Sequence, residues 1–437
     1  MFCAMRPHAL LEELSWRRLV HQHTEGLDAA LRVGVITGYA GFDPSASSLH
    51  VGNLVPVMGL VHLQRHGHRP IALVGGGTGL IGDPSGKGQE RQLLEPDVVE
   101  RNALGIRAQL ERFLDFDGPR GALMRNNAEW LVPLRAVDFM RDVGKHFTVN
   151  YMLQKESVKG RMEAGISYTE FSYMLLQAYD YLELHRRDGA TLQVGGSDQW
   201  GNVTAGIELI RRTTGATAHA LTFPLITTAA GTKFGKTESG AVWLDPERTS
   251  PYQFYQFWLN TEDRDVGQHL RFFSLLSRDG IEALEAAVGE HAERREAQRT
   301  LARDVTERVH GVDGLRAAEE VSAFMFGDVD PRALSAAALE ILRAEAPFAE
   351  LRLDDVQGPS ADGASQIDVI KLAVGAKVAA SLSAARRLLE QGGLSVNKRR
   401  VAATERYVLA DETLIRGEYV VVGKGRRDYA LVRLVRS

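Results

Sequence analysis

The sequence predicts an α/β fold on a largely parallel sheet, followed by an all-helical stretch and a small α+β tail. Three observations carry this. Strand-like and helix-like patterns alternate over the first 240 residues, the order that parallel βαβ units require. From Tyr252 to about Glu345, Leu, Phe and Ala recur at helical spacing among many charges and few glycines, which reads as helices packed on one another. After Gln357-Gly-Pro-Ser-Ala-Asp-Gly-Ala-Ser365, a stretch of linker composition, the charge balance reverses and short strand patterns return. The expected divisions are 1–245, 246–350, a linker over 351–365, and 366–437.

The 437 residues suffice for two or three domains with a sizeable core. Hydrophobic residues at 44% and charged residues at 25% exclude disordered, collagenous and disulfide-rich classes. One cysteine, Cys3, allows no intramolecular disulfide, so a reducing cytoplasm is the expected compartment. No apolar run reaches the roughly 18 residues of a membrane span. The N-terminus has no apolar stretch of the secretory kind, so no signal peptide is expected.

Fifty-two Lys and Arg against 56 Asp and Glu give a net charge of −4. Taken as uniform, that argues against nucleic acid as a partner. It is not uniform: residues 366–437 hold 14 basic and 7 acidic residues, a net of +7, which leaves 38 against 49, or −11, for the rest.

Along the chain, Val33–Phe42 reads as a buried strand, followed by a loop from Asp43 through Ser45 to Asn53 and an apolar helix to about Leu63. A helix N-terminus there suits a phosphate. His50 and Asn53 sit three apart in its first turn and either cap the helix or face one ligand. Gly52 between them, lacking a Cβ, permits close approach of a nucleotide. Next, Pro70–Val74 reads as a strand. Gly77-Thr-Gly79-Leu-Ile-Gly82 after it matches the bare dinucleotide pattern, but Asp83-Pro-Ser-Gly breaks the helix that pattern needs. What remains is a flexible glycine loop with Asp83 as an anion able to neutralise an ammonium group, and Lys87 and Arg91 as nearby cations.

Ser167-Tyr-Thr-Glu170 has capping-box spacing. The helix it opens carries Tyr173, Gln177 and Asp180 on one stripe among apolar neighbours. Leu192–Asn202 is a strand entering a glycine-rich turn and then a helix, with Gly196, Asp198 and Gln199 at the strand's carboxyl end, where open α/β sheets bind ligands. Lys233-Phe-Gly-Lys236-Thr237 places two lysines three apart, with Gly231 and Gly235 beside them, and reads as a mobile cationic clamp on a polyphosphate. In the tail, a helix from Ser383 carries Arg386 and Arg387 and ends at Gly392-Gly393. Leu394–Val401 then reads as one strand bearing Lys398, Arg399 and Arg400, and Tyr419–Val422 and Ala430–Val435 as two more.

Four stretches carry a resemblance: Tyr39–Asn53, Gly79–Gly86, Gln193–Asn202 and Lys233–Thr237. In this order they resemble the class I aminoacyl-tRNA synthetases, and among them the bacterial tyrosyl-tRNA synthetases, while the basic tail resembles the S4-type RNA-binding domain of that family. The resemblance implies a Rossmann-type catalytic domain, a helical anticodon-side domain and a homodimer. It implies L-tyrosine and ATP, with Mg²⁺ on the phosphates, as substrates, and tRNA(Tyr) as the acceptor of the tyrosyl group. Tyr39 and Asp180 would bond the phenol, and Tyr173, Gln177 and Asp83 the ammonium group, with Gln199 near the tyrosyl side. Asp43, Asp198 and Gly196 would meet the adenylate. His50, Asn53 and Ser45 would meet the ATP phosphates, and Lys87, Arg91, Lys233, Lys236 and Thr237 the departing pyrophosphate. Arg386, Arg387, Lys398, Arg399 and Arg400 would contact tRNA. Two positions depart from the family's pattern: Asn53 stands where many members have histidine, and Gly235 where a serine is common.

Overall fold

In a computed structural model the described residues are 10–83, 93–162, 165–227, 234–237, 240–359, 365–425 and 428–436. Lys87, Arg91 and Lys233 lie outside them. For Lys236 and Thr237 only the backbone is described. Contacts divide the chain into two compact units, Met1–Arg248 with Trp258–Val309, and Thr249–Phe257 with His310–Ser437. The helical stretch expected as one region over 246–350 is thus shared between them. The long helix Glu296–Phe326 breaks at Gly311, whose φ of 75° is non-helical, next to that division.

The first unit is built on β1 (Gln22–His23), β2 (Thr37–Phe42), β3 (Arg69–Val74), β4 (Leu123–Asn126), β5 (Ala190–Gly196) and β6 (His219–Phe223), in the order β1-β6-β5-β2-β3-β4. All neighbours are parallel except β1 on β6. β2 and β3 run toward one edge, β5 and β6 toward the other, so the order reverses between β2 and β5. In an open α/β sheet that switch point leaves a crevice at the strands' carboxyl ends.

β2 starts at Thr37, later than the pattern suggested. Residues Leu27–Val33 are helical, Val33 is 89% exposed and Val35 54% exposed. Valines that face solvent contribute nothing to a buried strand, which is why a run of apolar letters misled. The helix Tyr168–Asp188 begins as expected, with Ser167 Oγ accepting from Glu170 N–H at 3.2 Å, and ends on Gly189 at φ 68°. It packs with the helix Trp200–Thr214 over a core that includes Tyr39, Ile71, Ala178 and Tyr181.

A two-stranded hairpin follows, β7 (Lys236–Thr237) with β8 (Gly240–Ala241). The second unit adds β9 (Phe348–Arg352), β10 (Gln366–Asp368), β11 (Leu394–Val396), β12 (Arg399–Arg400), β13 (Tyr407–Leu409), β14 (Tyr419–Lys424) and β15 (Asp428–Val435). Five of these form a sheet in the order β12-β11-β14-β15-β9. Three expectations change. Residues 348–352, read as helix end and linker, are an edge strand parallel to β15; its alternation is masked by the charges of Glu350 and Arg352. The single strand Leu394–Val401 is a hairpin, because Asn397 and Lys398 both take positive φ and reverse the chain. The helix before it spans Leu382–Glu390 and is capped by Ser381, whose Oγ accepts from Ala384 N–H, rather than by Ser383.

Candidate functional site

β2 ends at Phe42, and the chain passes through a loop to a 3-10 turn at Val51–Asn53 and the helix Leu54–Arg65. His50 closes that turn reciprocally with Asn53. Its Nδ1 accepts from Gly52 N–H at 3.0 Å, and Asn53 Oδ1 accepts from His50 N–H at 3.0 Å. With Nδ1 an acceptor, the neutral ring carries its proton on Nε2, the donor a phosphate oxygen requires. The two readings of His50, cap and ligand contact, are therefore compatible. Gly52 has a local reason beyond the expected one: a Cβ there would fall 2.8 Å from the His50 ring. The loop is fastened by the helix Pro96–Leu110, whose Asn102 Nδ2 donates to Pro44 O at 3.0 Å. From the same helix, Gln109 accepts from Leu49 N–H at 2.8 Å and donates to Ser48 Oγ at 2.9 Å.

At the closed end of the crevice, Asp180 is 2% exposed. Trp130 Nε1 donates to one of its oxygens at 2.7 Å and Asn127 Nδ2 to the other at 2.9 Å. Burial pushes its carboxyl up to about 8, against the pull of those two donors. Beside it the Tyr39 hydroxyl is fully buried with no hydrogen-bond partner, and burial holds the phenol well above its usual pKa. Gln193 Oε1 is likewise buried and unpartnered. An unpartnered buried polar atom is uncommon and costly, and here such atoms face a cavity of about 630 Å³.

Further out, Asp43 accepts from Tyr173 Oη at 2.7 Å on one oxygen and from Thr78 Oγ1 at 2.7 Å on the other. Burial, then the charge of Asp43, keeps the Tyr173 phenol protonated as a donor. Gln199 Nε2 donates to Asp83 at 2.7 Å, and Asn202 Nδ2 donates to Gln177 at 3.0 Å and to Gln199 at 3.2 Å. Tyr39, Asp43, Ser45, His50, Asn53, Asp83, Tyr173, Gln177, Asp180, Gly196, Asp198 and Gln199 all line this one cavity.

The glycine loop after β3 is closely packed, where flexibility was expected. A Cβ on Gly75 would lie 2.2 Å from Asp43 Oδ1, and one on Gly76 2.3 Å from Asn126 Oδ1. Around the lysine motif, Phe234 is buried, stacks on Phe273 with centroids 5.3 Å apart, and sits beside Trp258 and His269. Gly235 has φ 80°, and a Cβ there would meet Val51 Cγ2 at 2.5 Å. At Gly235, then, glycine serves close approach and left-handed backbone rather than mobility.

Sequence patterns missed Thr78, Asn127, Trp130, Gln193, Asn202 and Trp243. Asn127 is central: its Oδ1 accepts from Gly77 N–H at 2.7 Å while its Nδ2 reaches Thr78 and Asp180. Thr78, Gln193 and Asn202 lay inside quoted motifs without being singled out; nothing local marked Asn127, Trp130 or Trp243. In the second unit Arg386, Arg387, Arg399 and Arg400 are exposed. Lys398 is half-buried, with its ammonium on the carbonyls of Phe324 and Gly327.

A family profile described as "tRNA synthetases class I (W and Y)" matches residues 33–327, and one described as "Tyrosine--tRNA ligase SYY-like C-terminal domain" matches residues 350–432. A tyrosine–tRNA ligase of Anaeromyxobacter dehalogenans is 54% identical over 97% of this chain and 99% of its own. The chain belongs to the tyrosine–tRNA ligase family. A tyrosine–tRNA ligase of Geobacillus stearothermophilus is 49% identical, over 97% of this chain and 99% of its own. A C-terminally truncated mitochondrial tyrosyl-tRNA synthetase of Aspergillus nidulans superposes with a TM-score of 0.65 at 30% identity, covering 72% of this chain and 94% of that one. A tryptophanyl-tRNA synthetase of Encephalitozoon cuniculi, at 13% identity and a TM-score of 0.51 over 72% of this chain and 95% of its own, shares the fold alone.

Proposed function

We propose that this chain is an ATP-dependent tyrosine–tRNA ligase. The observation that carries the choice of substrate is the closed end of the cavity, where Tyr39 Oη without a partner and the Asp180 carboxyl offer a donor and an acceptor. A phenol satisfies both; a phenyl ring satisfies neither and leaves a buried polar group unpaired. That tyrosyl-tRNA synthetase rejects phenylalanine strongly is a known example of this rule.

Tyr173, Gln177 and Asp83 form the polar wall for the ammonium group, with Asp43, Asn202 and Gln199 fixing their geometry. The tyrosine carboxylate is already an anion at neutral pH, so no general base is needed. Its oxygen attacks the α-phosphorus of ATP, the Pα–O bond to the β-phosphate breaks, and pyrophosphate leaves. His50 Nε2–H and the Asn53 amide stand where phosphate charge builds; Lys87, Arg91, Lys233 and Lys236 supply the cations for the leaving group. Mg²⁺ arrives on the ATP phosphates as part of that substrate. A hydroxyl at the 3′ end of tRNA(Tyr) then attacks the tyrosyl carbonyl carbon, and AMP leaves.

Arg386, Arg387, Arg399 and Arg400 are the RNA-facing cations of the tail. The chain is proposed to act as a homodimer, and the apolar side chains open to a second copy include Val132, Val137, Met140, Val149, Met162 and Tyr168, each 52–72% exposed. Among the described residues no helix is long and apolar enough to cross a membrane, and the cytoplasm is the compartment we propose. ATP–pyrophosphate exchange with tyrosine, phenylalanine and tryptophan tests the reading. Tyrosine alone should support exchange; exchange with tryptophan and not tyrosine would overturn it.

A further inference from the structure

β11 and β12 are joined by two residues, Asn397 at φ 48° and Lys398 at φ 63°. Both centres of the turn are left-handed, the geometry for which Asn-Gly is the favoured pair. Asn397 suits its place: its Nδ2 donates to Thr413 O at 2.6 Å and its Oδ1 accepts from Val421 N–H at 2.9 Å. Lysine does not, since glycine takes this conformation without steric penalty and a residue with a Cβ does not.

The side chain supplies the compensation. Lys398 Nζ donates to Gly327 O at 2.7 Å and to Phe324 O, and it lies 4.3 Å from the centroid of the Phe324 ring. These carbonyls stand at the C-terminal end of the helix Glu296–Phe326, where they lack intrahelical partners and carry the negative end of the helix dipole. Phe324 itself is fully buried and meets Tyr429 of β15 edge-on at 5.3 Å. Two further ties hold β14 and the turn before it to the helix Ala336–Glu345 and its approach: Tyr419 Oη to Glu340 at 3.1 Å and Arg416 Nε to Leu334 O at 3.4 Å. Of the exposed arginines, Arg400 engages only its own neighbourhood, its Nε donating to Gly392 O beyond the helix Leu382–Glu390, and Arg399 pairs with Glu405 at 3.7 Å.

We infer that Lys398 is a positioning residue, which fixes the basic hairpin on the C-terminal end of the helix Glu296–Phe326 so that Arg386, Arg387 and Arg399 meet tRNA in one orientation, and that it makes no phosphate contact of its own. The inference rests on the proposed tRNA charging for its purpose, but its test does not need tyrosine activation. Full-length Lys398→Gly, Lys398→Met, Lys398→Arg and Arg399→Ala proteins are compared for tRNA affinity across a salt series, and for tyrosine-dependent pyrophosphate exchange.

Lys398→Gly improves the turn and removes the anchor. It should leave exchange at the wild-type rate and weaken tRNA binding about ten-fold, equivalent to about 1.4 kcal/mol. The slope of log affinity against log salt should stay as in wild type. Lys398→Met, with similar reach and no donors, should behave alike, and Lys398→Arg should recover most of the affinity. Arg399→Ala should flatten the salt slope by about one, as expected for a lost phosphate contact. If Lys398→Gly flattens the slope as Arg399→Ala does, the lysine is a phosphate contact and the inference is wrong. Unchanged affinity in both Lys398→Gly and Lys398→Met overturns it too. Absence of tyrosine-dependent exchange in the wild type would count against the proposed ligase and leave the salt comparison to decide on Lys398.

Discussion

Replacing Asp180 by Asn should change the pH dependence of stability more tellingly than its level. In the folded chain this carboxyl titrates at about 8, against 3.8 for the ordinary group, because burial outweighs the Trp130 and Asn127 donors. The folded pKa lies above the unfolded value. Its stabilising effect is therefore complete below about pH 4 and is lost as pH rises through about 8. Between those limits the unfolded group is ionised and the folded one protonated, so stability falls by about 1.36 kcal/mol per pH unit. From about pH 6 to about pH 7.5, wild type should lose roughly 2 kcal/mol relative to Asp180→Asn. The variant also carries a fixed cost. Its NH₂ must face either Trp130 Nε1–H or the Asn127 amide, and Asn127 cannot turn over because Gly77 and Thr78 N–H hold its Oδ1. One donor is left unpaired, at about 1–3 kcal/mol and independent of pH. Urea unfolding followed by tryptophan fluorescence is the assay, since all five tryptophans lie in the first compact unit and report on it alone. Other titrating groups cancel in the difference. Parallel pH profiles for the two proteins would refute the reasoning.

Tyr39→Phe removes a buried hydroxyl that has no partner, so thermal stability should hold or rise by about 1 kcal/mol. Meanwhile pyrophosphate exchange should lose part of its preference for tyrosine over phenylalanine; a less stable protein with intact preference contradicts the site as drawn. Gly235→Ser forces a Cβ to within 2.5 Å of Val51 Cγ2 at φ 80°, a conformation costing an L-residue about 1–2 kcal/mol. Exchange should slow several-fold with tyrosine affinity kept, and an unchanged rate would show that the lysine motif tolerates the strain. Removing residues 328–437 should leave exchange in place and abolish tRNA charging. The truncated Aspergillus nidulans relative holds the fold over a comparable span. Loss of exchange together with charging would make the tail part of the catalytic fold.

Periodicity made the parallel sheet legible, because buried strands separated by amphipathic helices leave a strong local signal. Short polar elements did not show. β9 reads Phe-Ala-Glu-Leu-Arg, too brief and too charged to stand out from the helical chain before it. The hairpin at Asn397-Lys398 was hidden because its second residue is not glycine. At the site, residues inside glycine-rich motifs were readable, since loop chemistry is local. Asn127 and Trp130 were not: they act on Asp180 from a different strand-to-helix connection, about 50 residues away. At Gly75 and Gly235 looseness was expected, and at Gly52 ligand access; what the sequence did not show is that a Cβ at these places would crowd Asp43, Val51 and His50. A sequence shows that a Cβ is missing and not what occupies its place.

The parallel pairing of β9 with β15 has a consequence for the order in which the chain assembles. β9 leaves the ribosome about 80 residues before β15, its partner strand among the described residues. Until β15 has emerged, Phe348–Arg352 is an unpaired edge. The tail sheet closes through its most distant contact, the slow kind of step in folding, so a chain that stops before β15 keeps an open strand edge at Phe348–Arg352, exposed to proteolysis.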